Sequence, residues 1–192
     1  MKKLELLIIH CTATPPKHDT GISHILQWHM GPCDMPDGKV KYRGNIYPNR
    51  DCLPKERIAG TDVKKLKGRG WDRPGYSDLI RLDGELVNIQ PFNTDGYVDY
   101  NEMTWGVAGE NSHARHVVYA GGVDEKLNPK DTRTEAQIKS LLVYLKYMVL
   151  RHPHIQIGGH NQFANKACPS FDVPSFLKKS GFSDNNIYLP KK

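Results

Sequence analysis

Three side chains in this sequence are of types that suit one metal centre: His10, His160 and Cys168. His10 closes an apolar run that begins at Leu4. His160 stands just past a second short apolar run, after Gly158-Gly159, and Cys168 follows eight residues later in Lys166-Ala167-Cys168-Pro169-Ser170. Two imidazoles and a thiolate are good zinc ligands, and three protein ligands leave a fourth position open, as catalytic zinc requires. Strand ends and the loops beyond them are where a rigid sheet can hold such groups at fixed positions. Spacing alone does not decide the matter, because His10 is far from the other two in sequence. A hydrogen-bonded structural histidine and a small buried thiol explain the same residues.

The elements that must position these groups follow from the patterning. Residues 4–10 alternate too little for a half-exposed strand and read as a central strand buried on both faces. A short helix is expected over Ile22 to Met30, capped by Asp19 or Thr20 and stopped by Gly31-Pro32. Tyr76 to Leu82 and Glu85 to Gln90 flank Asp83-Gly84, a strong hairpin signal. Ala114 to Ala120 reads as a further strand, halted by Gly121-Gly122. A long helix then opens on a capping-box pattern at Thr132 and Glu135, with Ile138, Leu141, Leu142, Leu145, Met148 and Val149 on one face. His152-Pro153 ends it, Ile155 to Ile157 forms a short strand, and Pro174 opens a last helix over Ser175 to Lys179. Strands mixed with helices predict an α/β fold, a central mixed β-sheet flanked by helices.

The chain of 192 residues is expected to form a single domain, 1–192. Residues 31–74 stand apart as an irregular insertion between the first helix and the Tyr76 strand, rich in Gly, Pro, Lys, Arg and Asp. Val40, Tyr42, Ile46, Tyr47 and Leu53 are its isolated apolar residues. A long stretch without periodicity inside a compact domain is often functional. A surface insertion that folds over the body and one that shapes substrate choice, entering as it does between the first helix and Tyr76, are both open. Charged residues make up 25% and hydrophobic ones 38%, an ordinary globular balance, and no apolar run reaches the length of a membrane span. The N-terminus leads to His10-Cys11 rather than to a cleavage site, so synthesis in the cytoplasm without a signal peptide is expected. The net charge of +6 favours anionic partners, but no basic run interleaves with aromatics, which argues against nucleic acid. The four cysteines form no CxxC pair, and without an export signal disulfides are disfavoured. His18, His24, His29, His113, His116, His152 and His154 lack partners at ligand spacing and are read as structural or surface residues.

Four segments carry a resemblance. Ile8-Ile9-His10-Cys11-Thr12-Ala13-Thr14-Pro15 resembles the first zinc-ligand strand of the type 2 N-acetylmuramoyl-L-alanine amidases, the small phage lysozymes related to the animal peptidoglycan recognition proteins. Gly159-His160 through Lys166-Ala167-Cys168-Pro169-Ser170-Phe171-Asp172 is similar to the family's closing His, Lys and Cys. Gly75-Tyr76 and Gly121-Gly122-Val123-Asp124 match two intermediate signatures, in order, over nearly the whole chain except 31–74. The resemblance implies zinc held by His10, His160 and Cys168. It also implies hydrolysis of the lactyl–L-alanine amide of peptidoglycan, assisted by Tyr76 and Lys166. Such a zinc polarises the amide carbonyl and lowers the pKa of a water from about 16 towards 7. Lys166 would stabilise the developing oxyanion and Tyr76 would orient the water or move its proton. Thr12 and Asn111 are candidate groove residues. Ser77-Asp78 and Val107-Ala108 depart from the family, since many relatives carry histidine at the corresponding places.

The resemblance points to a phage or prophage endolysin, made in the cytoplasm and acting on the wall after release, and to a monomer with peptidoglycan as its partner and neither nucleic acid nor membrane. Other readings are open besides that of a regulatory partner protein with a second surface for another phage or host protein. One is a non-catalytic muramyl-peptide-binding module, in which the cysteine ligand is commonly replaced. Another is a cytoplasmic amidase that recycles wall fragments. A Cys–His hydrolase using Cys168 as nucleophile would, unlike a zinc enzyme, survive a chelator.

Overall fold

The computed structural model describes residues 1–93 and 95–190. The chain divides into two compact units, one formed by Met1–Thr20 with Tyr76–Lys192 and the other by Gly21–Gly75.

The larger unit is built on a five-stranded mixed sheet. Its strands are β1 (Leu6–Cys11), β2 (Asp78–Ile80), β3 (Leu86–Asn88), β4 (Ala114–Tyr119) and β5 (Gln156–Gly159), in the order β5-β1-β4-β2-β3. The first four of that order run parallel, and β3 returns antiparallel to β2. Every residue of β1 and β4 is buried, as expected for parallel strands covered on both faces. The hairpin forms where Asp83-Gly84 signalled it, with Gly84 at φ 87°.

Side-chain alternation splits the two central strands between two faces. Leu7, Ile9, Cys11, Val117 and Tyr119 pack under Leu141, Leu145, Met148 and Leu177 in the main core. Leu6, Ile8 and Ala114 lie on the opposite face with Val107. Of the helices α1 (Ile22–Met30), α2 (Glu135–Arg151) and α3 (Val173–Lys179), the last two belong to this unit. The start of α2 differs from expectation. Its cap is Thr134, whose hydroxyl accepts from Gln137 N–H at 3.0 Å while Gln137 Oε1 accepts from Thr134 N–H at 2.9 Å. Thr132 instead accepts from Gly122 N–H at 2.7 Å. The cap shifts because Gln137 also reaches the Ala120 and Ile80 carbonyls at the carboxyl ends of β4 and β2. The buried stripe turns with it, so Gln137 and Tyr144 are buried while Ile138, Leu142 and Val149 are half-buried. Likewise α3 begins at Val173, with Asp172 accepting from Ser175 N–H.

The smaller unit holds α1, whose cap is Gly21 rather than Asp19 or Thr20; Asp19 is ion-paired to Arg81. The segment read as irregular contains a three-stranded antiparallel sheet (Cys33–Asp34, Val40–Tyr42, Asn45–Tyr47) and a hairpin of Arg57–Ile58 with Thr61–Asp62. Val40, Tyr42, Leu53, Ile58, Val63 and Leu66 form its own core with Leu26 and Met30, while Ile46 is exposed. Strands of two or three residues are too short to register as periodicity. This unit carries eleven of the basic and six of the acidic residues, so five of the six net positive charges reside here. Any attraction for an anionic partner therefore falls mainly on it.

Candidate metal centre

His10 occupies the second-last position of β1, and His160 comes directly after β5, its parallel neighbour. Both stand at the carboxyl ends of parallel strands, where open α/β sheets place their ligands. The loop that follows folds back so that Asn161 N–H donates to the Cys168 carbonyl at 2.7 Å. Three ligand atoms converge as a result: His10 Nδ1 lies 3.2 Å from His160 Nδ1 and 3.8 Å from Cys168 Sγ. A tetrahedral zinc with ordinary Zn–N and Zn–S lengths spaces its ligands about 3.3 Å (N to N) and about 3.6 Å (N to S) apart. The donor set and its spacing therefore fit that ion.

The electrostatics agree. The His160 imidazole titrates below its usual range, first because it is part-buried and then because Lys166 is close, so the neutral ligand form is favoured. The Cys168 thiol is pushed well up by the Cys11 thiol and then by burial. A divalent cation beside Sγ offsets both effects and favours the thiolate. Cys11 N–H already donates to Cys168 Sγ at 3.2 Å.

The other residues singled out from sequence fall in different places. The Tyr76 ring is tilted against His10 with centroids 5.0 Å apart, and Lys166 is exposed in the loop between His160 and Cys168. Thr12 accepts from Gly121 N–H at 2.9 Å and meets the Thr14 hydroxyl at 2.7 Å. Asn111 Oδ1 accepts from Val107 N–H at 2.9 Å. Both of these side chains hold local loop structure.

The structure also assigns a contact to a residue that spacing had left aside. His116, in the middle of β4, is fully buried with its Nδ1 3.0 Å from His10 Nε2. Burial, then His160 and Arg115, lower its pKa to about 3. The available signal was a pair of polar residues, Arg115 and His116, inside the otherwise apolar strand Ala114 to Ala120.

No family model matches the chain. Its sequence is 26% identical over 174 residues to the endolysin of Klebsiella phage KP32, covering 91% of this chain and 85% of the relative. It is 28% identical to the endolysin of Enterobacteria phage K11 (88% and 83% covered) and 25% identical to that of Escherichia phage T7 (92% and 87%). The structure aligns with N-acetylmuramoyl-L-alanine amidase LysC from Clostridium intestinale URNW at TM-score 0.56 and 16% identity, over 93% of this chain and 85% of the amidase. This is the amidase and peptidoglycan-recognition-protein fold. Bumblebee PGRP-SA shares it at TM-score 0.56 and 16% identity (93% and 82% covered). So does the Ph2119 endolysin from Thermus scotoductus MAT2119 bacteriophage Ph2119, at TM-score 0.52 and 16% identity (95% and 87%). The sequence relatives named above are phage endolysins.

Proposed function

We propose that this protein is a zinc-dependent N-acetylmuramoyl-L-alanine amidase that hydrolyses the lactyl–L-alanine amide of peptidoglycan as a phage endolysin. The observation that carries the reading is the convergence of His10 Nδ1, His160 Nδ1 and Cys168 Sγ at the carboxyl ends of adjacent parallel strands. The endolysin relatives and the amidase fold support the same substrate class.

In this reading His10, His160 and Cys168 hold the zinc, which supplies Lewis-acid polarisation of the amide carbonyl and acidification of a water. Lys166, in the loop between two of the ligands, donates to the oxygen that gains negative charge as the amide carbon becomes tetrahedral. The Tyr76 phenol beside His10 orients the attacking water and passes its proton on towards the leaving amine. Thr12 and Asn111 present loop backbone and side chain to the muramyl-peptide. Synthesis in the cytoplasm and action on the wall after release, as a monomer, complete the proposal.

The 3.8 Å approach of Cys168 Sγ to His10 Nδ1 would also suit a thiol nucleophile with an imidazole base. That arrangement gives no role to His160 Nδ1, which faces the same point. Mass spectrometry of purified sacculi after digestion tests the proposal. Amidase action leaves intact glycan lactyl groups and peptides that begin with free L-alanine, whereas cleavage within the glycan or within the stem peptide contradicts it.

A further inference from the structure

We infer that His116 is a positioning residue of the metal centre: it accepts a hydrogen bond from His10 Nε2 and so holds His10 in the tautomer whose Nδ1 lone pair faces His160 and Cys168. The inference rests on the zinc reading of that site and goes beyond its three ligands.

Register brings the two rings together. β1 and β4 run parallel with Ile8 opposite His116 and His10 opposite Val118. His10 and His116 therefore project from the same face, one step apart along the diagonal, and their ring centroids lie 5.2 Å apart. His10 presents Nδ1 to the ligand cluster and Nε2 to His116 Nδ1. A nitrogen that ligates a metal must offer its lone pair, so the His10 proton resides on Nε2 and the 3.0 Å bond runs from His10 to His116. The opposite assignment would aim a proton from His10 Nδ1 into the cluster. With Nδ1 accepting, the neutral His116 ring carries its own proton on Nε2. That atom has no hydrogen-bond partner among the described residues, and a second proton on a fully buried ring would be unfavourable.

The His116 backbone is anchored on Ser77, and its ring is confined by Gly106. His116 N–H donates to Ser77 Oγ at 3.2 Å, and Ser77 N–H donates back to the His116 carbonyl at 2.8 Å. Gly106 lies flat against the imidazole, so closely that a Cβ there would come within 2.3 Å of His116 Nδ1. Only glycine at 106 allows the ring its place under His10. Metal-binding histidines usually direct the second nitrogen to a carboxylate or a carbonyl. A neutral imidazole fixes the same orientation without adding negative charge, which leaves the bound cation more electrophilic.

The test measures zinc affinity by competition with a chromophoric chelator for the wild type, His116→Leu and His116→Asn, together with the visible spectrum of each protein loaded with Co2+. Leucine keeps the bulk and removes the acceptor, whereas the asparagine Oδ1 can stand near the position of Nδ1. The expected result is zinc binding weakened about 10–100-fold in His116→Leu and largely restored in His116→Asn, with the cobalt bands displaced in the first and returned in the second. Zinc affinity equal to wild type in both variants, or equally weakened in both, overturns the inference while the zinc reading stands. A wild-type protein that binds no zinc overturns both. Nitrogen NMR of the zinc-loaded wild type needs no variant: His116 must be protonated at Nε2 and bare at Nδ1, and a proton on Nδ1 refutes the assignment.

Discussion

Replacing Asp78 by alanine should destabilise the larger unit by about 3–5 kcal/mol, the usual consequence of removing one partner from a buried ion pair. Asp78 on β2 accepts from Arg115 on β4 through Nε at 2.8 Å and Nη2 at 3.0 Å, and from the Tyr144 hydroxyl on α2 at 2.7 Å. Asn88 Nδ2 adds a fourth donor at 2.9 Å. Both charged side chains are nearly sealed, with 5% and 6% of their surface exposed, so water cannot replace the lost carboxylate. The Arg115 guanidinium would be left over the Phe92 ring, with Tyr144 as its remaining oxygen partner. That loss is a large part of a total stability of about 5–15 kcal/mol. The stranded charge dominates it, so Asp78→Ala/Arg115→Met should be less destabilised than Asp78→Ala alone. Urea unfolding followed by circular dichroism gives each value from the midpoint and slope. A single-variant loss under about 1 kcal/mol, or a double-variant loss equal to the sum of the singles, would refute the reasoning.

Acid should weaken the smaller unit through His29. Its Nδ1 accepts from Gly75 N–H at 3.0 Å, and burial, then Arg69, lower its pKa to about 4. The unfolded chain takes up this proton near pH 6.5 and the native one only near 4, so stability falls as pH drops through that window, by up to about 3 kcal/mol. Unfolding followed through Trp71, whose ring is 5.1 Å from that of His29, should show the slope, and His29→Gln should lack it. Lys166→Met should lower kcat by about 10²–10³-fold with KM and zinc content nearly unchanged, and wild-type turnover would remove Lys166 from the chemistry. Tyr76→Phe should lower kcat by about 10²-fold and flatten the pH–rate profile; an unaltered profile would deny it a proton-transfer role.

Much of the larger unit was legible because its signals are long or strong. Residues 4–10 and 114–120 are mainly apolar, broken by Glu5 in the first and by Arg115 and His116 in the second, a pattern close to that of strands buried on both faces, and Asp83-Gly84 marks its hairpin directly. The cap of α2 was misplaced because Thr132 and Thr134 each fit a capping pattern, and only the carbonyls of Ile80 and Ala120 select Gln137 and hence Thr134. The smaller unit was not legible as strands and core, since its pieces are two or three residues long and join across loops. For the site, the three ligands could be named by their chemistry and by resemblance, yet their approach depends on the parallel pairing of β5 with β1. His116 needed the register of β4 against β1, which no local pattern encodes.

The zinc amidase reading is tested most directly by assaying release of peptides with free N-terminal L-alanine from purified peptidoglycan, before chelation, after chelation and after zinc is restored. The predicted result is release that the chelator abolishes and zinc recovers in the wild type, with none recovered in Cys168→Ser. Release that persists in chelator, or none from the zinc-loaded protein on either intact walls or soluble muramyl-peptides, would contradict the account.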